Sequence, residues 1–135
     1  MERAGFEADK NRIFVMDLNT KIITDITKPI DQSADNILWS KDAKTIYFTS
    51  CVDAVHQLYS YSLTAKKDPL REITNGLSDI GSIDLSVDGK LTNIVATRVN
   101  MSSPTEIYKI ELAKGNLYKL TSTNDDELKN SNWVK

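Results

Sequence analysis

The chain has 135 residues, 17 basic and 19 acidic side chains, and a formal net charge of −2. That near-balance, with no basic stripe, argues against nucleic acid as the main partner, and no uncharged stretch approaches the length of a membrane span. Cys51 is the only cysteine, which excludes an internal disulfide and a cysteine-based metal cluster, and no signal-peptide pattern opens the chain.

Residues 1–11 are polar, charged and aperiodic, and read as a loop or a short turn of helix. From Arg12 the vocabulary is that of strands, rich in Ile, Val, Tyr, Phe and Thr. Residues 13–18 and 22–27 form an expected hairpin across Asn19-Thr20-Lys21, and 28–35, with Pro29, a crossing loop. Expected strands follow at 36–40, 45–50, 57–63 and 70–74, then at 82–86, 91–98, 106–112 and 117–121. A polar crossing loop, 122–130, contains the run Asp125 to Lys129 that suits one helical turn, and 131–134 opens a further strand. Short strands between turn residues leave no room for a longer helical period, so the fold class is all-β.

The strands repeat a phrase. IFVMDL (Ile13 to Leu18), LYSYSL (Leu58 to Leu63) and IYKIEL (Ile107 to Leu112) are each followed by a hydrophobic residue and a threonine. Those threonines, Thr27, Thr74 and Thr121, recur at intervals of 47 residues. ILWSKDAK, IDLSVDGK and the shorter SNWVK supply a third phrase. Self-similarity at this period is the signature of a β-propeller of four-stranded antiparallel blades. The reading is a partial propeller of about three blades: a loop and outer hairpin (1–27), two complete blades (28–74 and 75–121) and the first strand of another (122–135). On this reading the chain begins and ends inside a blade. Asp88-Gly89 suits a tight hairpin turn, whereas Ala43 stands where a turn glycine is expected and should strain that turn. Trp39, Leu85 and Trp133 share one place in the phrase and are expected to fill the layers between blades.

The phrase W-S-x-D-G-K, then I-x-F-x-S, L-Y-x-x-x-L and L-T, as carried by LWSKDAKTIYFTS, SVDGK, LYSYSL and IYKIEL, resembles the propeller repeat of TolB-like proteins and of the prolyl oligopeptidase family of serine peptidases. The opening MERAGFEADKNRIFVMDL resembles an insertion between the second and third strands of one blade in bacterial dipeptidyl-peptidase and acylaminoacyl-peptidase-like members. The chain departs from the pattern at Ala43, at Val87 and Lys41 in place of proline, and in strand 91–96, which lacks its aromatic. The resemblance implies a non-catalytic propeller segment that gates and positions short peptides for a C-terminal α/β-hydrolase domain of the same parent chain. Its partners would be that domain and a peptide substrate. The other reading is a TolB-like envelope propeller that binds a protein partner. The residues themselves show no G-x-S-x-G elbow and one histidine, so this segment carries no catalytic triad. The resemblance implies a bacterial parent, periplasmic or cytoplasmic.

Arg3 and Glu7 are the candidate substrate-side residues: if the opening segment faces the hydrolase, Glu7 attracts a peptide amino terminus and Arg3 holds a carbonyl or an interdomain carboxylate. The alternative is a solvated loop pinned by its own Arg–Glu pair. His56 reads as a loop histidine in VDAVHQ, Asp42 and Asp88 as turn formers rather than calcium ligands, and no cofactor or metal is expected. Open strand edges at both cuts favour a strand-exchanged homodimer in which 131–134 of one copy adds to the 13–27 hairpin of another.

Overall fold

A computed structural model describes residues 5–6, 9–77, 79–86 and 93–129. Among the described residues ten strands build three sheets, and one short helix follows them. The first is a hairpin of β1 (Phe14–Met16) and β2 (Ile23–Asp25). The second is a meander of β3 (Ala34–Trp39), β4 (Thr45–Val52), β5 (Val55–Ser62) and β6 (Leu70–Glu72). The third repeats it with β7 (Asp79–Leu85), β8 (Asn93–Asn100), β9 (Ser103–Glu111) and β10 (Leu117–Lys119). All neighbouring strands pair antiparallel, as propeller blades do. The Asp125–Lys129 run forms the helix α1, acidic at its start and basic at its end as the helix dipole favours.

Two apolar layers hold the sheets face to face. In β4 the side chains alternate: Ile46 and Phe48 join Tyr59, Ile13, Ile26 and Ile30 against the first hairpin, while Tyr47 turns to the other face. On that face Leu58 and Ile73 meet Ile80, Ile94, Ala96 and Ile110 of the third sheet. The middle blade is therefore apolar on both faces, which explains strands richer in hydrophobic residues than a half-exposed sheet needs. Phe48 and Tyr59 stack with ring centroids 5.7 Å apart. Gly115, at φ +73°, lies so close under the Ile73 carbonyl that a Cβ would sit 2.0 Å from its oxygen. The turn Lys114-Gly115-Asn116 thus needs glycine for its backbone and for blade contact alike. Arg71 reinforces the same seam by donating to the Ala113 carbonyl at 2.6 Å.

The repeated threonine has a physical cause. Thr27, Thr74 and Thr121 each accept a backbone N–H of the third strand or its edge, from Ile13 just before β1 (3.0 Å), Leu58 within β5 (2.9 Å) and Ile107 within β9 (2.9 Å). Each hydroxyl then donates onward, to Asp25, Gln57 and Glu106 respectively. The residue before each threonine closes the ladder, with Ile26, Ile73 and Leu120 donating to the carbonyls of those same three residues. The phrase is a clasp between the third and fourth strands, and only a β-branched hydroxyl serves both its packing and its two hydrogen bonds.

Several expectations are revised. Trp39 is 47% exposed and does not fill a layer. Its cross-strand partner Ile46 shows that it faces the first hairpin, whose described strands do not reach the innermost strand β3. Leu85 does pack into the second layer as expected, and in the middle blade Leu38 packs there in place of Trp39. His56 lies in β5, not in a loop, because β4 and β5 join through a two-residue turn, Asp53-Ala54. Both turn residues take positive φ (50° and 64°), the geometry that matches the twist of a tight hairpin. Ala43 takes φ 53°, so the expected strain is present and the turn keeps its glycine-like shape without glycine. Asp88-Gly89, Trp133 and the strand 131–134 lie outside the described residues.

Candidate functional site

The third strands β1, β5 and β9 all begin on one rim of the stack, so the segment before β1, the Asp53-Ala54 turn and the β8–β9 turn share that rim by topology. The clasp network lies buried beneath that rim. Gln57 donates to the Gly76 carbonyl at 3.0 Å, tying the loop from β6 to β7 onto β5. Glu106 serves the same purpose in the next blade, accepting from the Asn124 N–H (3.0 Å) and side chain (3.1 Å) as well as from Thr121. The Thr121 hydroxyl and the Asn124 N–H hold the Glu106 carboxyl down to about 2, against an ordinary 4.5.

His56 and Asp79 meet across the two blades. Asp79 Oδ1 accepts the His56 backbone N–H at 2.7 Å and lies 3.0 Å from Nδ1. Those hydrogen bonds, the backbone one first, lower the Asp79 carboxyl below its usual range. The carboxylate fixes Nδ1 as the protonated ring nitrogen and leaves Nε2 turned away from it. Both residues line a cleft of about 340 Å³ between the blades, together with Asn36, Ser82, Thr97, Arg98 and Thr105. A smaller, apolar cavity of about 230 Å³ lies beside it, between the β8–β9 turn and Leu128 of α1.

Arg98 has a distinct setting. It stands opposite Glu106 in the ladder, yet Glu106 is committed to Thr121 and Asn124. The guanidinium instead lies 4.8 Å over the Tyr108 ring, and its buried Nε has no hydrogen-bond partner. The cross-strand pairs show what changed between blades: Phe48 faces Tyr59 in one, Ala96 faces Tyr108 in the other. The small Ala96 frees the tyrosine face that the arginine covers.

Of the residues singled out from sequence, Arg3, Glu7 and Asp88 lie outside the described residues. Lys10 does reach inward, donating to the Ile30 carbonyl at 2.6 Å. Asp42 is a turn former: it accepts from Ser40 (2.6 Å) and from the Lys44 N–H (3.1 Å), and the Ser40 bond leads in lowering its carboxyl. Among the described residues no group of three or more His, Cys, Asp or Glu is placed to hold a metal ion. Sequence reasoning missed Arg98 and the His56–Asp79 pair. Aligning the copies signals the first, because Arg98 occupies the place of Ser50; no local motif signals the second.

These sheets define a β-propeller segment whose rim carries polar groups between blades. The family described as "Dipeptidyl peptidase IV (DPP IV) N-terminal region" matches residues 8–132. The chain belongs to that family. It is 33% identical over 124 residues to dipeptidyl-peptidase 5 of Porphyromonas gingivalis and 38% identical over 128 residues to dipeptidyl-peptidase 5 of Porphyromonas endodontalis. Those matches cover 92% and 95% of this chain but only 17% and 18% of the relatives, so the chain spans less than a fifth of their length. Among solved structures, the propeller domain of the trilobed protease from Pyrococcus furiosus matches with a TM-score of 0.67 at 18% identity, covering 87% of this chain and 33% of that one. TolB from Acinetobacter baumannii matches with a TM-score of 0.60 at 24% identity, covering 83% of this chain and 27% of that one. At these identities the likeness shows the fold alone.

Proposed function

We propose that this chain is a propeller segment of a bacterial serine-type dipeptidyl peptidase, where it caps an α/β-hydrolase domain of the same parent and gates and positions short peptides. The observation that supports this most is the similarity, along more than nine-tenths of the chain, to two bacterial proteins named dipeptidyl-peptidase 5. The topology adds a reason for the side on which substrate is met. β1, which follows the segment carrying Arg3 and Glu7 in the chain, is a third strand and begins on the rim where the polar cleft between blades opens. There Glu7 would hold the peptide amino group and Arg3 a carbonyl oxygen or a carboxylate of the facing domain.

Fluorophosphonate labelling of the full-length native protein, with the 135-residue chain as control, tests the reading. Labelling of the full-length protein alone is the expected result, and Glu7→Gln should then raise KM for a dipeptidyl chromogenic substrate more than it lowers kcat. A folded full-length protein that takes no label would overturn the peptidase reading and leave a TolB-like binding propeller.

A further inference from the structure

We propose that the cleft between the two complete blades binds a peptide carboxylate, with Arg98 as its anchor. Four side chains that line it carry hydrogen-bond donors. Arg98, Ser82, Thr97 and Thr105 all line the cleft, and none makes a side-chain hydrogen bond or ion pair among the described residues. Arg98 Nε is buried and unpartnered, a condition that costs free energy unless a ligand or water relieves it. The cross-strand carboxylate that would ordinarily neutralise Arg98 belongs to Glu106, which the clasp holds away.

Among the described residues Asp79 is the one acidic residue lining the cleft, and its Oδ1 is taken up by His56. The cation is therefore pre-positioned over Tyr108 with its fork free, the arrangement that suits a planar, bidentate carboxylate. A volume of about 340 Å³ admits a peptide end or an acidic side chain with its neighbouring backbone. That the carboxylate arrives on a peptide rests on the peptidase reading; that the site takes an anion does not.

The test is an NMR titration of the 135-residue chain that follows the Arg98 Nε–H signal. The probes are acetyl-triglycine, its amide, acetyl-Gly-Glu-Gly amide and inorganic phosphate. A saturable shift with either acidic peptide, absent with the neutral amide, is expected, and the peptide that binds tells chain end from side chain. Arg98→Lys keeps the charge and loses the fork, so affinity should fall about tenfold. A Thr97→Val, Thr105→Val double variant, which leaves Arg98 in place, should weaken binding to a lesser degree. Silence from both acidic peptides, an equal response to the neutral amide, or binding of phosphate alone would overturn the assignment. Because no peptidase activity enters the readout, its failure and that of the peptidase reading are separate results.

Discussion

The two complete blades close the same clasp with different chemistry. In the β3–β6 blade Thr74 donates to the neutral amide of Gln57; in the β7–β10 blade Thr121 donates to the carboxylate of Glu106. The first hairpin offers a third solution, in which Asp25 on the fourth strand supplies the carboxylate and Arg12 stands where Gln57 and Glu106 do. The geometry of the threonine is kept while the charge beside it varies. What the fold requires is an acceptor for the hydroxyl proton, not a particular residue, and the choice decides whether a blade senses acid.

The blades also differ at the tyrosine. Phe48→Ala would give the β3–β6 blade the alanine that the other blade already has, and should cost about 3–5 kcal/mol in urea unfolding, since Phe48 is wholly buried. A loss below about 1 kcal/mol, by contrast, would mean that the stacked pair contributes no more than Ala96 beside Tyr108. Thr74→Val should cost about 1–3 kcal/mol, because the Leu58 N–H and Gln57 Oε1 lose their partner in a buried site.

Acid sharpens the contrast. The folded Glu106 carboxyl is held at about 2, below its ordinary 4.5, so its contribution is complete above 4.5 and disappears as pH falls through about 2. Glu106→Gln, which copies the Gln57 clasp without the charge, should lower stability at neutral pH toward the value the unsubstituted protein reaches in acid, and so flatten its dependence across that window. An unchanged acid limb in chemical unfolding would show that Glu106 is not the group responsible. Ala43→Gly relieves a positive φ and should raise stability by about 0.5–1 kcal/mol, the smallest of these effects, read as a shift in the urea midpoint.

The periodic features were legible in sequence because each serves a local need that every blade repeats. Thr27, Thr74 and Thr121 marked the strand ends through their spacing alone. The Asp53-Ala54 turn was not legible, since register forces two non-glycine residues into the left-handed region where sequence signals ask for Asn-Gly or Asp-Gly. Trp39 shows the limit of pattern reading. Alternation gives the face on which a side chain sits, but not whether another sheet covers that face. The cleft was hidden for a related reason: His56 and Asp79 stand 23 residues apart, on different blades, and meet only when the blades stack.

The purely sequential order of the strands has a kinetic consequence. Within each four-stranded sheet every strand pairs with its neighbour along the chain, and the three clasps span only 14 to 16 residues. Loop closures that short cost little entropy, and low contact order speeds folding. Each meander can therefore close as soon as its fourth strand leaves the ribosome, before its neighbour is made. Hydrogen-exchange labelling during refolding would then show the clasp amides of Leu58 and Ile107 protected as early as the sheets form, with burial between blades following as a later step.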